Sequence, residues 1–89
     1  MGEFFLGSGK GFIDYITMMG FEFKESDSPS KYYVNKKGNQ IVVNEKGVIR
    51  LIDAKGYTVD SGVSFTNSQI DKFSIRETQN RDSESNLIN

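Results

Sequence analysis

Three consecutive nine-residue blocks occupy the middle of the chain, and they constrain its fold more than any other feature. They are YVNKKGNQI, VVNEKGVIR and LIDAKGYTV. Each block places an Asn or Asp three residues before a glycine, at Asn35, Asn44 and Asp53. This spacing is typical of a hairpin loop in which a type I turn is followed by a glycine in the left-handed conformation. The repeat therefore predicts three hairpin turns and a four-stranded antiparallel meander.

The turns fix the strand limits and the register of this sheet. We expect strands near residues 31–35, 39–44, 48–53 and 57–61. Because side chains alternate between the two faces of a strand, the register separates two sets of residues. One face is almost wholly apolar and is the predicted core: Tyr33, Ile41, Val43, Ile49, Leu51, Tyr57 and Val59. The other face is mixed and is expected toward solvent or a partner: Tyr32, Val34, Gln40, Val42, Arg50, Ile52, Thr58 and Asp60.

The segment before the repeat predicts a helix and a fifth strand. Apolar residues recur at helical spacing in GFIDYITMMG, and Gly20 is placed to end this helix as a left-handed cap. The next four residues, FEFK, alternate as in a strand, and the loop ESDSPS would join this strand to the meander. The helical face consists of Phe12, Tyr15, Ile16 and Met19.

A second helix is predicted after the repeat. Thr66 is followed three residues later by Gln69, which is the capping-box pattern, and Phe65 and Ile70 are spaced as a hydrophobic staple. The polar sequence that follows predicts fraying near residues 78–82. The last residues, 81–89, are expected to form a polar tail in which Leu87 and Ile88 stand apart.

Together these elements predict a single α+β domain over residues 1–80. We expect a two-layer sandwich with an N-terminal helix, a four- or five-stranded antiparallel meander and a C-terminal helix. Because only one sheet face is apolar, both helices should pack on that face. With 89 residues and 36% hydrophobic composition, the chain can build one small core. It contains no apolar run of the roughly 18 residues that span a bilayer, and we expect a soluble cytoplasmic protein.

The residue types exclude most catalytic chemistry. The chain has no histidine and no cysteine, so serine–histidine triads, thiol nucleophiles and imidazole or thiolate zinc sites are all absent. Among the carboxylates, Asp53 has a role in a turn, and Asp60 is predicted opposite Arg50 as a cross-strand ion pair. We therefore expect no enzymatic activity, no metal site and no cofactor.

The glycine-rich segment LGSGKGF raises the question of phosphate binding. A nucleotide-binding phosphate loop needs Gly, four residues and then Gly-Lys-Ser/Thr. Here Lys10 is followed by Gly11, and Phe4 stands where the first glycine is required. What remains is a choice between a looser anion site at the helix N-terminus and a plain lead-in to the first helix.

Nucleic-acid binding is the main alternative to protein binding. Turn lysines Lys36, Lys37 and Lys55 are predicted at one end of the sheet, near the face that carries Tyr32 and Arg50. The order of elements resembles that of double-stranded-RNA-binding domains. Their lysine-rich start of the second helix has no counterpart in TNSQID. The net charge of −1 gives no general attraction to polyanions.

The sequence thus predicts a small non-enzymatic protein that binds a partner protein through the mixed sheet face or an edge strand. An inhibitor or an accessory protein would fit, and so would a homodimer. Abundant Asn, Lys and Ile are typical of AT-rich bacterial and phage genomes, which predicts a bacterial or phage source. The predicted contact residues are Tyr32, Val34, Val42, Arg50, Ile52 and Asp60.

Overall fold

The computed structural model describes residues 4–77, which form two helices and seven strands. The elements are β1 (Phe5–Leu6), α1 (Lys10–Met18), β2 (Glu22–Lys24), β3 (Lys31–Val34), β4 (Gln40–Val43), β5 (Ile49–Ile52), β6 (Thr58–Gly62), β7 (Phe65–Thr66) and α2 (Asn67–Ser74). Strands β2 to β6 form one antiparallel sheet in sequence order, while β1 pairs with β7. The predicted α+β meander with five strands between two helices is confirmed. Within residues 4–77, no helix is long and apolar enough to cross a membrane.

Three turns with the same hydrogen bonds join β3, β4, β5 and β6. At the first turn, the backbone amide of Asn35 donates to the carbonyl of Asn39, and the carbonyl of Asn35 accepts from the amide of Gly38. The side-chain oxygen of Asn35 accepts from the amides of Lys37 and Asn39, at 3.0 Å each. The other two turns repeat these bonds from their own Asn or Asp. The turn glycines have φ between +85° and +94°, as predicted for the left-handed position.

The core lies between the helices and one face of the sheet. Five of the seven predicted sheet residues are buried there: Tyr33, Ile41, Val43, Ile49 and Leu51. The two helices, β7 and the loop after α1 add Phe12, Ile16, Phe21, Phe65, Ile70 and Phe73. Phe21 and Phe73 stack with ring centroids 6.1 Å apart. The prediction was wrong for Tyr57, which is 68% exposed because it closes the last turn at the sheet edge, where neither helix covers it.

The last strand departs from the predicted register because it contains a bulge. Thr58 pairs with Ile52, and Asp60 pairs with Leu51, so Val59 is an extra residue between the two pairs. This residue was predicted in the core and is 40% exposed. An extra residue breaks the alternation of side chains along a strand. It moves Asp60 from the predicted solvent side of the sheet to the side that carries the helices.

Helix α1 ends as the sequence predicts. The amide of Gly20 donates to the carbonyl of Thr17, and the amide of Phe21 donates to the carbonyl of Ile16, both at 3.0 Å. These two bonds form a Schellman motif, with Gly20 at a φ of +100°. The accompanying hydrophobic contact between the last turn and the residue after the glycine is supplied by Ile16 and Phe21, which are both buried. The motif returns the chain to the sheet, where β2 begins.

Helix α2 begins with the predicted capping box. The hydroxyl of Thr66 accepts from the amide of Gln69 at 3.2 Å, and the side-chain oxygen of Gln69 accepts from the amide of Thr66 at 2.8 Å. Phe65 and Ile70, the two residues of the predicted staple, are both buried. The start of the helix is therefore defined locally by its own sequence.

Helix α2 ends at Ser74, earlier than the fraying region that we predicted at residues 78–82. The side-chain amide of Asn39 donates to the carbonyls of Phe73 and Arg76, at 3.3 and 2.9 Å. The side-chain amide of Asn35 donates to the carbonyl of Ser74 at 2.8 Å. Carbonyls at the end of a helix need such partners, so the first turn of the meander caps α2. Residues 78–82, the predicted domain limit at residue 80 and the tail with Leu87 and Ile88 lie outside the described residues.

The start of the chain is fastened to the start of α2. Strand β1 pairs with β7 in antiparallel register. Just before β1, the amide of Phe4 donates to the side-chain oxygen of Asn67 at 2.9 Å, and the carbonyl of Phe4 accepts from the amide of Asn67 at 3.0 Å. Part of the glycine-rich segment is therefore held in a strand pair, which the sequence did not predict.

Candidate functional site

The face of the sheet opposite the helices, which we call the open face, carries two rows of residues across the five strands. The first row contains Lys24, Tyr32, Val42, Arg50 and Ser61, and the second contains Glu22, Val34, Gln40, Ile52 and Thr58. Five of the six predicted contact residues lie here, because the turns fix the register of β3, β4 and β5. We did not predict that β2 contributes Glu22 and Lys24 to this face, although the alternation in FEFK indicates it.

The open face combines buried aliphatic side chains with more accessible neighbours. Val42 and Ile52 are only 5% and 8% exposed, although they do not belong to the core cluster on the other side of the sheet. Tyr32 and Val34 are half-buried, and Arg50 is exposed. Tyr32 and Arg50 flank Val42 as its direct neighbours on either side in the row. A partner would therefore meet the tyrosine ring and the guanidinium group first.

The predicted ion pair between Arg50 and Asp60 is wrong. The bulge in β6 places Ser61 opposite Arg50 and moves Asp60 opposite Leu51. The guanidinium group of Arg50 donates to the hydroxyl of Thr58 at 3.2 Å, and no ion pair between residues 4 and 77 includes Arg50. In the part of the chain that the structure describes, the charge of Arg50 is therefore not neutralised by a neighbouring carboxylate.

Asp60 lies instead in a shallow groove between β6 and α2. The groove has a volume of about 210 Å³, and its lining includes Gln69 and Lys72 of the helix. The carboxylate oxygen of Asp60 accepts from the amide of Ser61 at 2.9 Å. Asp60, one of the six predicted contact residues, therefore does not lie on the open face.

The turn lysines are brought to one end of the sheet, as predicted, but they are not equivalent. The first and third turns approach each other closely, since a Cβ atom on Gly38 would lie 3.1 Å from the Cβ atom of Ala54. Lys37 forms an ion pair with Glu77. Lys36 and Lys55 are exposed and belong to no ion pair among residues 4–77. A polyanion would find two available lysines at this end rather than three.

The N-terminal glycine segment leads into the start of α1 without a side-chain cap. Gly9 occupies the N-cap position and has no side chain that could accept from the helix amides. Lys10 forms an ion pair with Asp14, one helical turn later, at 3.0 Å. The lysine that suggested phosphate binding is therefore already paired with a carboxylate.

A tyrosine–carboxylate pair joins the two helices. The hydroxyl of Tyr15 donates to the carboxylate of Asp71. This hydrogen bond, together with partial burial and the charge of Asp71, raises the pKa of the Tyr15 hydroxyl above its ordinary value. Burial in the core likewise raises the pKa of Tyr33. Both phenols therefore stay neutral at physiological pH, and the pair with Asp71 supports the packing of the two helices.

A surface groove with a volume of about 400 Å³ lies between the end of α1, β2 and the first turn. It is lined by Thr17, Gly20, Phe21, Glu22, Lys24, Val34, Asn35 and Lys36. Glu22 is the one carboxylate in this lining. Within residues 4–77, no group of three or more potential ligands from Asp, Glu, His and Cys is close enough to hold a metal ion.

Comparison with known proteins identifies no functional residue in this chain. The open face and the sheet edges are therefore the surfaces on which a functional proposal rests. No protein-family model, no curated protein and no solved structure matches this chain.

Proposed function

We propose that this protein is a small non-enzymatic interaction protein that binds a partner protein through the open face. It would act as an inhibitor or accessory protein of a larger cytoplasmic assembly. The proposal rests on the exposed guanidinium group of Arg50, which among residues 4–77 has a single hydrogen bond, to Thr58, and no carboxylate partner. Arginine and tyrosine are the residue types that contribute most to protein interfaces when they lie beside apolar surface. Tyr32 and Val42 supply that neighbourhood.

The chemistry of the open face indicates what the partner presents. Arg50 suits a carboxylate, because its planar guanidinium group can donate two parallel hydrogen bonds. Lys24 lies at the β2 end of the same row, so the row carries two cations and no carboxylate. An acidic partner surface with an apolar side chain placed over Tyr32 would match both features.

The test is a charge reversal at the centre of this surface. The tagged protein captures its partner from host lysate, and titration calorimetry then compares Arg50→Glu with Lys46→Glu. Arg50 and Lys46 are both exposed, and both substitutions replace a positive charge with a negative one. Lys46, however, lies in the second turn, away from the open face. We expect Arg50→Glu to weaken binding by about 10-fold to 1,000-fold, as for an interface hot spot. Equal affinities of the two variants would contradict the proposal.

Arg50→Glu is preferred to truncation of Tyr32 for a structural reason. The arginine is exposed, whereas Tyr32 is half-buried and pairs with the buried Val42, so we expect its truncation to affect folding as well. The thermal midpoint of the Arg50→Glu variant should stay within a few degrees of the wild type. A large fall of the midpoint would mean that the loss of binding reports unfolding, and Arg50→Gln would then replace it.

A nucleic acid is the alternative partner, and the absence of a carboxylate from the row with Tyr32 and Arg50 favours it. Capture with and without nuclease separates the two classes of partner. If nuclease removes the retained material, Lys36→Ala combined with Lys55→Ala should weaken binding and reduce its dependence on salt concentration. A retained protein that survives nuclease and is lost with Arg50→Glu supports the protein partner instead.

A further inference from the structure

Strand β2 is an edge of the sheet with an unusual pattern of side chains. Within residues 4–77 it pairs with β3 alone, and its three residues are all exposed. Its sequence is an acid, an aromatic residue and a base: Glu22, Phe23 and Lys24. Phe23 is 55% exposed, although one side of its ring contacts Tyr33 at a centroid distance of 5.5 Å. An unpaired strand edge with an exposed aromatic residue is a surface on which another strand can be added.

We infer that two copies of this protein form a dimer by antiparallel pairing of β2 with β2, about a two-fold axis at Phe23. In this arrangement Glu22 lies opposite the partner's Lys24, and Lys24 lies opposite the partner's Glu22. Phe23 lies opposite the partner's Phe23. Charged residues on an edge strand usually prevent such pairing, but here the spacing of the two charges makes the edge complementary to itself.

The charges also select one register. Shifting the two strands by two residues in one direction brings Glu22 opposite the partner's Glu22. The shift in the other direction brings Lys24 opposite the partner's Lys24. Opposite charges at directly paired positions stabilise a sheet, and like charges destabilise it. The register that places Phe23 opposite the partner's Phe23 is therefore favoured over both of its neighbours.

The dimer would extend the sheet without covering the open face. Glu22 and Lys24 pair with Val34 and Tyr32, so they lie on the open face, and Phe23 lies on the helix side with Tyr33. A two-fold axis between antiparallel strands is perpendicular to the sheet, which keeps the open faces of both copies on the same side. The result is one sheet of ten strands, five from each copy. This inference does not depend on the partner proposed for the open face.

The short edge limits the strength of the dimer. Stable interfaces bury about 800 Å² on each partner, and two strands of three residues bury considerably less. We therefore expect a reversible dimer with a dissociation constant of about 0.1 mM, formed as the concentration rises. Sedimentation equilibrium over a range up to about 1 mM would detect it.

A charge-swap cycle tests the register. Glu22→Lys and Lys24→Glu each place like charges at both paired positions, so each variant should dimerise at least about tenfold more weakly than the wild type. The double variant E22K/K24E restores opposite charges and should recover dimerisation. The matched control is the pair Glu45→Lys and Lys46→Glu in the second turn, where the same changes of charge should leave dimerisation unchanged. Arg50→Glu should also leave it unchanged.

Each other outcome would overturn the inference. A wild-type protein that stays monomeric over the whole range would exclude the dimer. A dimer that persists in both single variants would place the contact on another surface. Failure of the double variant to recover, with an unchanged circular dichroism spectrum and thermal midpoint, would exclude pairing of Glu22 with the partner's Lys24. Thermal melts of all variants at low concentration distinguish a weaker dimer from a less stable fold.

Discussion

The substitution Asn39→Asp tests the contact between the first turn and the end of α2. It keeps the shape of the side chain but replaces the amide donor with a carboxyl group. Asn39 is completely buried, and its amide donates to the carbonyls of Phe73 and Arg76. A carboxylate at this position would face two carbonyl oxygens without water. The pKa of the introduced carboxyl must therefore rise above the ordinary value of about 3.9 for an aspartic acid.

The magnitude follows from the linkage between protonation and folding. When the pKa of a group is raised in the folded state, its contribution to the free energy of unfolding is greatest below the unfolded pKa. This contribution is lost as the pH rises toward the folded pKa. A carboxyl that stays protonated in the fold at pH 7 costs about 4 kcal/mol, from 1.36 kcal/mol per pH unit over about three units. Near pH 4 the main remaining cost is one lost hydrogen bond, about 1 kcal/mol. Since small domains are stable by about 5 to 15 kcal/mol, the change at pH 7 removes much of the total.

The assay is urea unfolding followed by circular dichroism at pH 4 and pH 7. The matched control is Asn44→Asp, where the side-chain oxygen accepts from the amides of Lys46 and Val48 at 2.9 Å and no donor is needed. Asp53 fills the same role in the third turn. We expect Asn44→Asp to stay within about 0.5 kcal/mol of the wild type. Equal losses for the two variants at pH 7, or a loss for Asn39→Asp that does not depend on pH, would refute the reasoning.

Two further predictions concern the turns and the helix pair. Gly56→Ala should cost about 1 kcal/mol in unfolding free energy, because φ is +94° there and the new Cβ atom would lie in open space. Gly38→Ala should cost more, because its new Cβ atom would also lie only 3.1 Å from the Cβ atom of Ala54. Equal costs in urea unfolding would contradict the contact between the turns. Tyr15→Phe should cost about 1 kcal/mol at pH 8 by removing the hydrogen bond to Asp71. Because the pKa of Tyr15 is raised by that bond, the cost should shrink as the pH rises above about 10. A difference that stays constant to the highest pH at which both proteins fold would argue against the pair.

The parts of the fold that local sequence controls were predictable. Each turn forms from an Asx residue and a glycine within the same nine-residue block, so the register of β3, β4 and β5 follows from the repeat alone. The capping box at Thr66 and the left-handed glycine after α1 are equally local. For the same reason the open face could be predicted from its central strands, including Tyr32 and Arg50.

The errors arise where distant segments or an irregular strand decide the outcome. The bulge at Val59 has no local signal in the third block, and it alone removed Asp60 from the open face. The early end of α2 depends on side chains that are more than thirty residues away in sequence. A signal for it was present, because Asn39 occupies a position that the other blocks fill with Val48 and Tyr57. Because Val48 is half-buried and Tyr57 is exposed, however, the repeat does not show that this position is buried in the first turn.

The meander also determines how the chain can reach its native state. Every pairing in the five-stranded sheet joins strands that are neighbours in sequence, so each hairpin closes a short loop at a small cost in chain entropy. Among the strand pairs of residues 4–77, only β1 with β7 joins segments about sixty residues apart, and it is two residues long. Proteins dominated by such local contacts fold faster than sandwiches with distant strand pairing. We therefore expect the sheet to form before the N-terminal segment closes onto α2, so that this closure is a late step in folding.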